Sequence, residues 1–111
     1  MDIVESTADG VLTLALTGKL DADSTDKFAA ALAAVIDRGE RRFVLNLAGL
    51  DYISSVGLRA LIVGAKRLSP LGGKIVLCAP QPRIRQVLEI SGFTSIFTIA
   101  ATADEAAKGL Q

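Results

Sequence analysis

Ser54 and Ser55 stand side by side where a β-rich stretch gives way to an apolar-periodic one, in Leu50-Asp51-Tyr52-Ile53-Ser54-Ser55-Val56-Gly57-Leu58-Arg59. A serine there commonly caps a helix by accepting a backbone N–H. The first turn of a helix also carries unpaired N–H donors and partial positive charge, so a phosphate attached at this point would be tolerated by the fold. Upstream, Asp21, Asp23 and Asp26 gather ahead of another helical segment. Helix-start capping and dipole complementarity account for them better than a carboxylate cage around a cation. Cys78 lies among strand apolars and reads as a small buried hydrophobe, not a reactive thiol. With no histidine and a single cysteine, the chain has no His-based triad, no His metal site, no Cys-cluster zinc site and no internal disulfide. Neither standard Gly-rich phosphate loop is present. The sequence offers no catalytic residue, cofactor site or metal site, and a non-enzyme is expected.

Something must position the serines, and the composition says what kind of body that is. Half of the 111 residues are apolar and 22% are charged, as in a single globular domain spanning residues 1–111. Folding should bury about 65% of the extendable surface, enough for a core without a metal or disulfide staple. Twelve basic residues balance twelve acidic ones. That gives none of the positive surplus a nucleic-acid binder needs. The longest apolar runs are a few residues, far below the ~20 of a membrane span, and Met1-Asp2-Ile3-Val4-Glu5 reads as a strand instead of a leader. A soluble, cytoplasmic protein is expected, with no nucleic-acid or membrane partner.

The elements follow from periodicity and punctuation. Ile3–Ser6 and Val11–Thr17 around Asp9-Gly10 predict a β-hairpin. Phe28, Ala31, Leu32, Val35 and Ile36 recur at helical spacing, predicting a helix over about 24–38 with Asp23 or Ser24 as its cap and Gly39 past its end. Phe43–Leu47 reads as a buried strand, Ala48–Ser54 as a loop, and Val56–Leu68 as a second helix stopped by Ser69-Pro70 and Gly72-Gly73. Lys74–Ala79 reads as a strand and Arg83–Ile90 as a helix, followed by a last strand at Ile96–Ile99. Thr102-Ala103-Asp104-Glu105 resembles a capping box opening a C-terminal helix. The order β-β-α-β-α-β-α-β-α implies an α/β fold, a mostly parallel sheet behind an N-terminal hairpin with helices packed on it.

On helix two, Leu58, Leu61, Ile62, Ala65 and Leu68 form one stripe, expected to face the sheet. The opposite side carries Val56, Ala60 and Val63, rimmed by Arg59, Lys66 and Arg67. An apolar strip with a basic rim fits a partner surface, although scattered surface alanine and valine are also ordinary. Serines beside such a strip would make a switch.

At these residues the chain resembles a known family. Leu16-Thr17-Gly18-Lys19-Leu20-Asp21, Val44-Leu45-Asn46-Leu47, the serine segment, Lys66-Arg67-Leu68, Gly73–Cys78 and Val87–Phe93 are similar to bacterial STAS domains, and more narrowly to the anti-sigma-factor antagonists. The resemblance runs nearly end to end and implies the STAS fold. It also implies binding to a GHKL-type serine-kinase anti-sigma factor that phosphorylates this chain and is thereby released, with a PP2C-type phosphatase restoring binding. Position by position, it implies Ser55 as phospho-acceptor, with Ser54 second. Asp21, Ser54, Ser55, Val56, Gly57, Arg59, Ala60 and Val63 would then form the partner surface. Ser54 occupies a position often held by aspartate in that family and Val56 one often held by serine; Ser54 thus becomes a competing acceptor. A monomer is expected when unbound. Two other readings stand beside this one. One is a STAS subunit of a transport or signalling complex that binds without phosphoryl transfer; the other is a weak nucleotide-binding module using Asp21 and the serine loop.

Overall fold

A computed structural model describes residues 1–110. It contains strands β1 (Asp2–Ala8), β2 (Val11–Leu20), β3 (Arg42–Ile53), β4 (Lys74–Cys78) and β5 (Thr98–Ala100). Its helices are α1 (Thr25–Asp37), α2 (Ser55–Leu68), α3 (Pro82–Ile90) and α4 (Ala103–Leu110), with 3₁₀ turns at Ser69–Leu71 and Phe93–Ser95. The five strands form one sheet in the order β1-β2-β3-β4-β5. β1 and β2 are antiparallel, whereas β2–β3, β3–β4 and β4–β5 are parallel. Asp9 and Gly10, at φ 54° and 78°, make the hairpin turn with both central residues left-handed.

The core divides by the period of two along each strand. Leu12, Leu14 and Leu16 of β2 and Phe43, Leu45 and Leu47 of β3 point to the side covered by α1, α2 and α3, where Phe28, Leu32, Leu61 and Leu88 close the core. Val44, Val76 and Cys78 point the other way and are covered by α4 through Ala106 and Leu110. Burial pushes the Cys78 thiol pKa up, which suits an inert core residue.

Three boundaries differ from expectation in ways that matter for the serines. β2 continues past Thr17 to Leu20, and β3 continues past Leu47 to Ile53, through what the sequence reads as a loop. The strands stay paired because Leu20, Leu50 and Ile53 remain buried. The register slips between Ala15 and Thr17 and again between Gly18 and Lys19, with Gly18 at φ 100°. The last strand falls at Thr98–Ala100 instead of Ile96–Ile99, because Phe93–Ser95 coils into a 3₁₀ turn that buries Phe93 and Phe97 as a stacked pair. Helix α1 starts after Ser24 as foreseen, but the Ser24 side chain does not cap it. Thr102 does cap α4, its hydroxyl accepting from Glu105 N–H at 3.1 Å.

Candidate functional site

The extended pairing of β2 with β3 carries two loops to the same end of the sheet, and one backbone bond joins them: Ser54 N–H donates to Leu20 C=O at 2.9 Å. The residue before Asp21 is thus locked to the residue before Ser55. Gly57 makes this approach sterically possible. A Cβ there would lie 2.8 Å from both Leu20 Cγ and the Leu20 carbonyl oxygen, and 3.2 Å from Ile53 Cγ1. Any larger residue would lift the first turn of α2 off the end of β2.

The two serines have different jobs. Ser54, half-buried with φ −91° and ψ 170°, is the N-cap: its Oγ accepts from Gly57 N–H at 3.2 Å, and its carbonyl accepts from Leu58 N–H at 2.9 Å. Ser55 is the first helical residue, so α2 begins one position earlier than expected. It is exposed, and among the described residues its hydroxyl makes no side-chain hydrogen bond. A free hydroxyl stands over the N-terminal turn of a helix while its neighbour supplies the cap.

Asp21 sits on the adjoining loop, but its carboxylate is already engaged. Oδ1 accepts from Asp23 N–H at 3.1 Å and Ser24 N–H at 3.2 Å, and the Ser24 hydroxyl lies 3.1 Å away. The Ser24 hydroxyl is the main influence holding the Asp21 carboxyl below its ordinary value of 3.8. Thr25 Oγ1 donates to Asp21 C=O at 2.5 Å and completes a tight turn into α1. Asp23 and Asp26 are exposed around that turn, and among the described residues no acidic cluster could hold a metal.

Helix α2 is rotated relative to expectation. Its buried residues are Gly57, Leu61, Gly64 and Leu68, whereas Leu58, Ile62 and Ala65 of the expected stripe are half-buried. At 100° per residue the buried line lies roughly 60° away, toward α1. The cause is Gly64, where a Cβ would come 2.4 Å from Leu32 Cδ2; its absence lets α1 and α2 close on each other. Ala60 is consequently half-buried, while Val56 and Val63 are 47% and 59% exposed. Val56, Ala60 and Val63 therefore share not a plain outer face but one wall of a groove between α1 and α2, a cavity of about 230 Å³. Ala29 and Ala33 form the other wall, with Arg59 and Arg67 at the rim.

Sequence reasoning missed this second wall, for which the alanine-rich stretch 29–34, broken only by Leu32, was the available signal. It also missed Tyr52. This residue is 48% exposed at the end of β3 and paired in register with Lys19, an aromatic of the kind enriched at interfaces.

The architecture and the serine turn define the class. The chain belongs to the STAS domain family, whose model matches residues 3–106. Among named relatives, a candidate anti-sigma factor antagonist of Bordetella bronchiseptica, BtrV, is 45% identical over 107 residues, covering 96% of this chain and 92% of that protein. A candidate anti-sigma factor antagonist from Thermotoga maritima has a crystal structure that superposes with a TM-score of 0.92. It is 22% identical and covers 97% of this chain and 93% of its own. The Bacillus cell fate determinant SpoIIAA, solved in a phosphorylated form, superposes with a TM-score of 0.77 at 21% identity, covering 99% of this chain and 100% of its own. Among the described residues no helix is long and apolar enough to cross a membrane.

Proposed function

We propose that this chain, acting as a single domain over residues 1–111, is an anti-sigma-factor antagonist and a binding module, not an enzyme. It binds a serine-kinase anti-sigma factor of the GHKL type through the serine turn and helix α2, and phosphorylation of Ser55 ends that binding. The observation that carries this reading is the division of labour between the serines. Ser54 is committed to the cap, and Ser55 presents a free hydroxyl on an exposed helix start. Family membership, the antagonist names of the relatives and the phosphorylated form of the Bacillus structure support it.

In the proposed step the Ser55 hydroxyl oxygen attacks the γ-phosphorus of ATP held by the kinase. The bond to the β-bridging oxygen breaks and ADP leaves, while the hydroxyl proton passes to a base of the kinase. A PP2C-type phosphatase hydrolyses the ester and restores the hydroxyl. The added charge of about −1.5 to −2 suits the N-terminus of α2, so the domain stays folded. At the centre of a docking surface the same charge must be desolvated against a partner shaped for a neutral hydroxyl, so the interface fails. Tandem mass spectrometry after incubation with the anti-sigma factor and ATP should find one phosphate, on Ser55. Phosphate on Ser54 would move the acceptor by one residue. Phosphate on neither would favour a STAS subunit that binds without switching.

A further inference from the structure

We propose that the groove between α1 and α2 seats an amphipathic helix of the anti-sigma factor, its apolar row lying between the two walls and a carboxylate of that helix resting on Arg59. The inference rests on the antagonist reading and names the part of the partner that must meet this surface.

Four observations lead there. The groove is continuous with the serine turn, because Val56, which follows Ser55, forms its near end. Its size fits a helix. From Val56 to Arg67 the wall rises eleven residues at about 1.5 Å each, close to three turns. Its volume of about 230 Å³ exceeds the ~150 Å³ apolar cavity that admits a benzene ring. Its shape results from small residues, since Ala29 and Ala33 on one side face Val56, Ala60 and Val63 on the other. Row-and-groove docking of this kind reads out apolar residues at i, i+4 and i+7.

Charge selects the occupant. The lining carries two guanidinium groups and no carboxylate. Arg67 pairs with Asp37 beyond the groove, whereas among the described residues Arg59 has no salt-bridge partner. An isologous contact of this groove with its copy would set two basic rims together with no carboxylate in either lining to offset them. A heterologous helix with an acidic flank meets that charge instead.

The test is calorimetric titration of the full chain with the purified serine-kinase anti-sigma factor, in ADP so that no phosphoryl group is transferred. Ala29→Glu changes an exposed residue of α1, on the wall remote from the serines. It should weaken binding by about tenfold or more. Ala30→Glu, also exposed but outside the groove, should leave affinity within about twofold and shows that a carboxylate on α1 is harmless to folding. Arg59→Gln should weaken binding about fivefold and flatten its salt dependence. Wild-type binding with Ala29→Glu and Arg59→Gln both within about twofold of it would overturn the inference alone. Failure of the wild-type chain to bind would overturn the antagonist reading and this inference with it. Octanoate shifting the Ala29 and Val63 amide resonances where the anti-sigma factor does not would replace the helix by a small amphiphile. Concentration-dependent dimerisation abolished by Ala29→Glu would replace it by a second copy.

Discussion

Replacing Ser54 with alanine tests the assignment of the cap where it is most exposed to error, since two adjacent serines compete for it. Ser54 Oγ accepts from Gly57 N–H at 3.2 Å, and Gly57 is buried, so Ser54→Ala leaves a shielded donor without a partner. Loss of an N-cap serine costs ~0.5–2 kcal/mol, and a buried orphan N–H places this case in the upper half of that range. With an unfolding entropy of about 2.1 cal/mol/K per residue, a chain of this length loses about 4 °C of Tm per kcal/mol. Ser54→Ala should therefore lower the Tm by about 5–9 °C and shift the urea midpoint without changing the slope. Ser54→Asp should return to within about 0.5 kcal/mol of wild type, because aspartate caps as well as serine and its charge suits the helix start. Ser55→Ala should change stability by no more than about 0.5 kcal/mol, since an exposed first-turn alanine loses no hydrogen bond. A larger loss from Ser55→Ala than from Ser54→Ala would refute the division of roles, and with it the claim that the free hydroxyl belongs to Ser55.

Four further outcomes follow from the same geometry. Leu61→Ala, emptying a fully buried position of α2, should destabilise the fold by ~2–5 kcal/mol. Val63→Glu should leave the unfolding curve unchanged yet cost about 1–3 kcal/mol in anti-sigma-factor affinity by titration, because the carboxylate is desolvated on docking. Gly57→Ala gains up to ~1 kcal/mol of helix propensity but meets a carbonyl pinned by Ser54 N–H, a misfit of ~1–3 kcal/mol; chemical denaturation should show a net loss near 1 kcal/mol. The depressed pKa of Asp21 stabilises the fold above pH 3.8 and ceases to do so as pH falls through the folded value. Asp21→Asn should thus flatten the stability profile on the acid side of pH 4, and an unaltered acid limb would contradict this.

Element order, strand parallelism and the two-sided core were legible because continuous apolar runs, Asp-Gly, Pro and Gly punctuate this chain clearly. The site was legible only in part, and glycine explains most of the shortfall. Gly18 and Gly49 interrupt the apolar pattern of β2 and β3, so the strands read as ending early although Leu20 and Ile53 still pack beneath them. Gly57 and Gly64 carry no hydrophobic weight, yet they mark the face of α2 that comes closest to its neighbours, so a pattern of large apolars turns the helix away from α1. The far wall of the groove is alanine, which reads alike in core, surface and interface. Ser54 and Ser55 are chemically identical in a sequence. The ψ of 170° at Ser54, its bond to Gly57 N–H and the greater exposure of Ser55 tell them apart.

The backbone bond from Ser54 to Leu20 has a consequence for recognition speed and entropy. Residues more than thirty positions apart in the chain are held as one rigid edge, with Gly57 packed under them. A partner meeting this edge has no loop to order, so the conformational entropy was surrendered on folding and is not charged again at encounter. Association through such a preorganised surface is expected to proceed in one kinetic step, with affinity differences among variants lying in the dissociation rate.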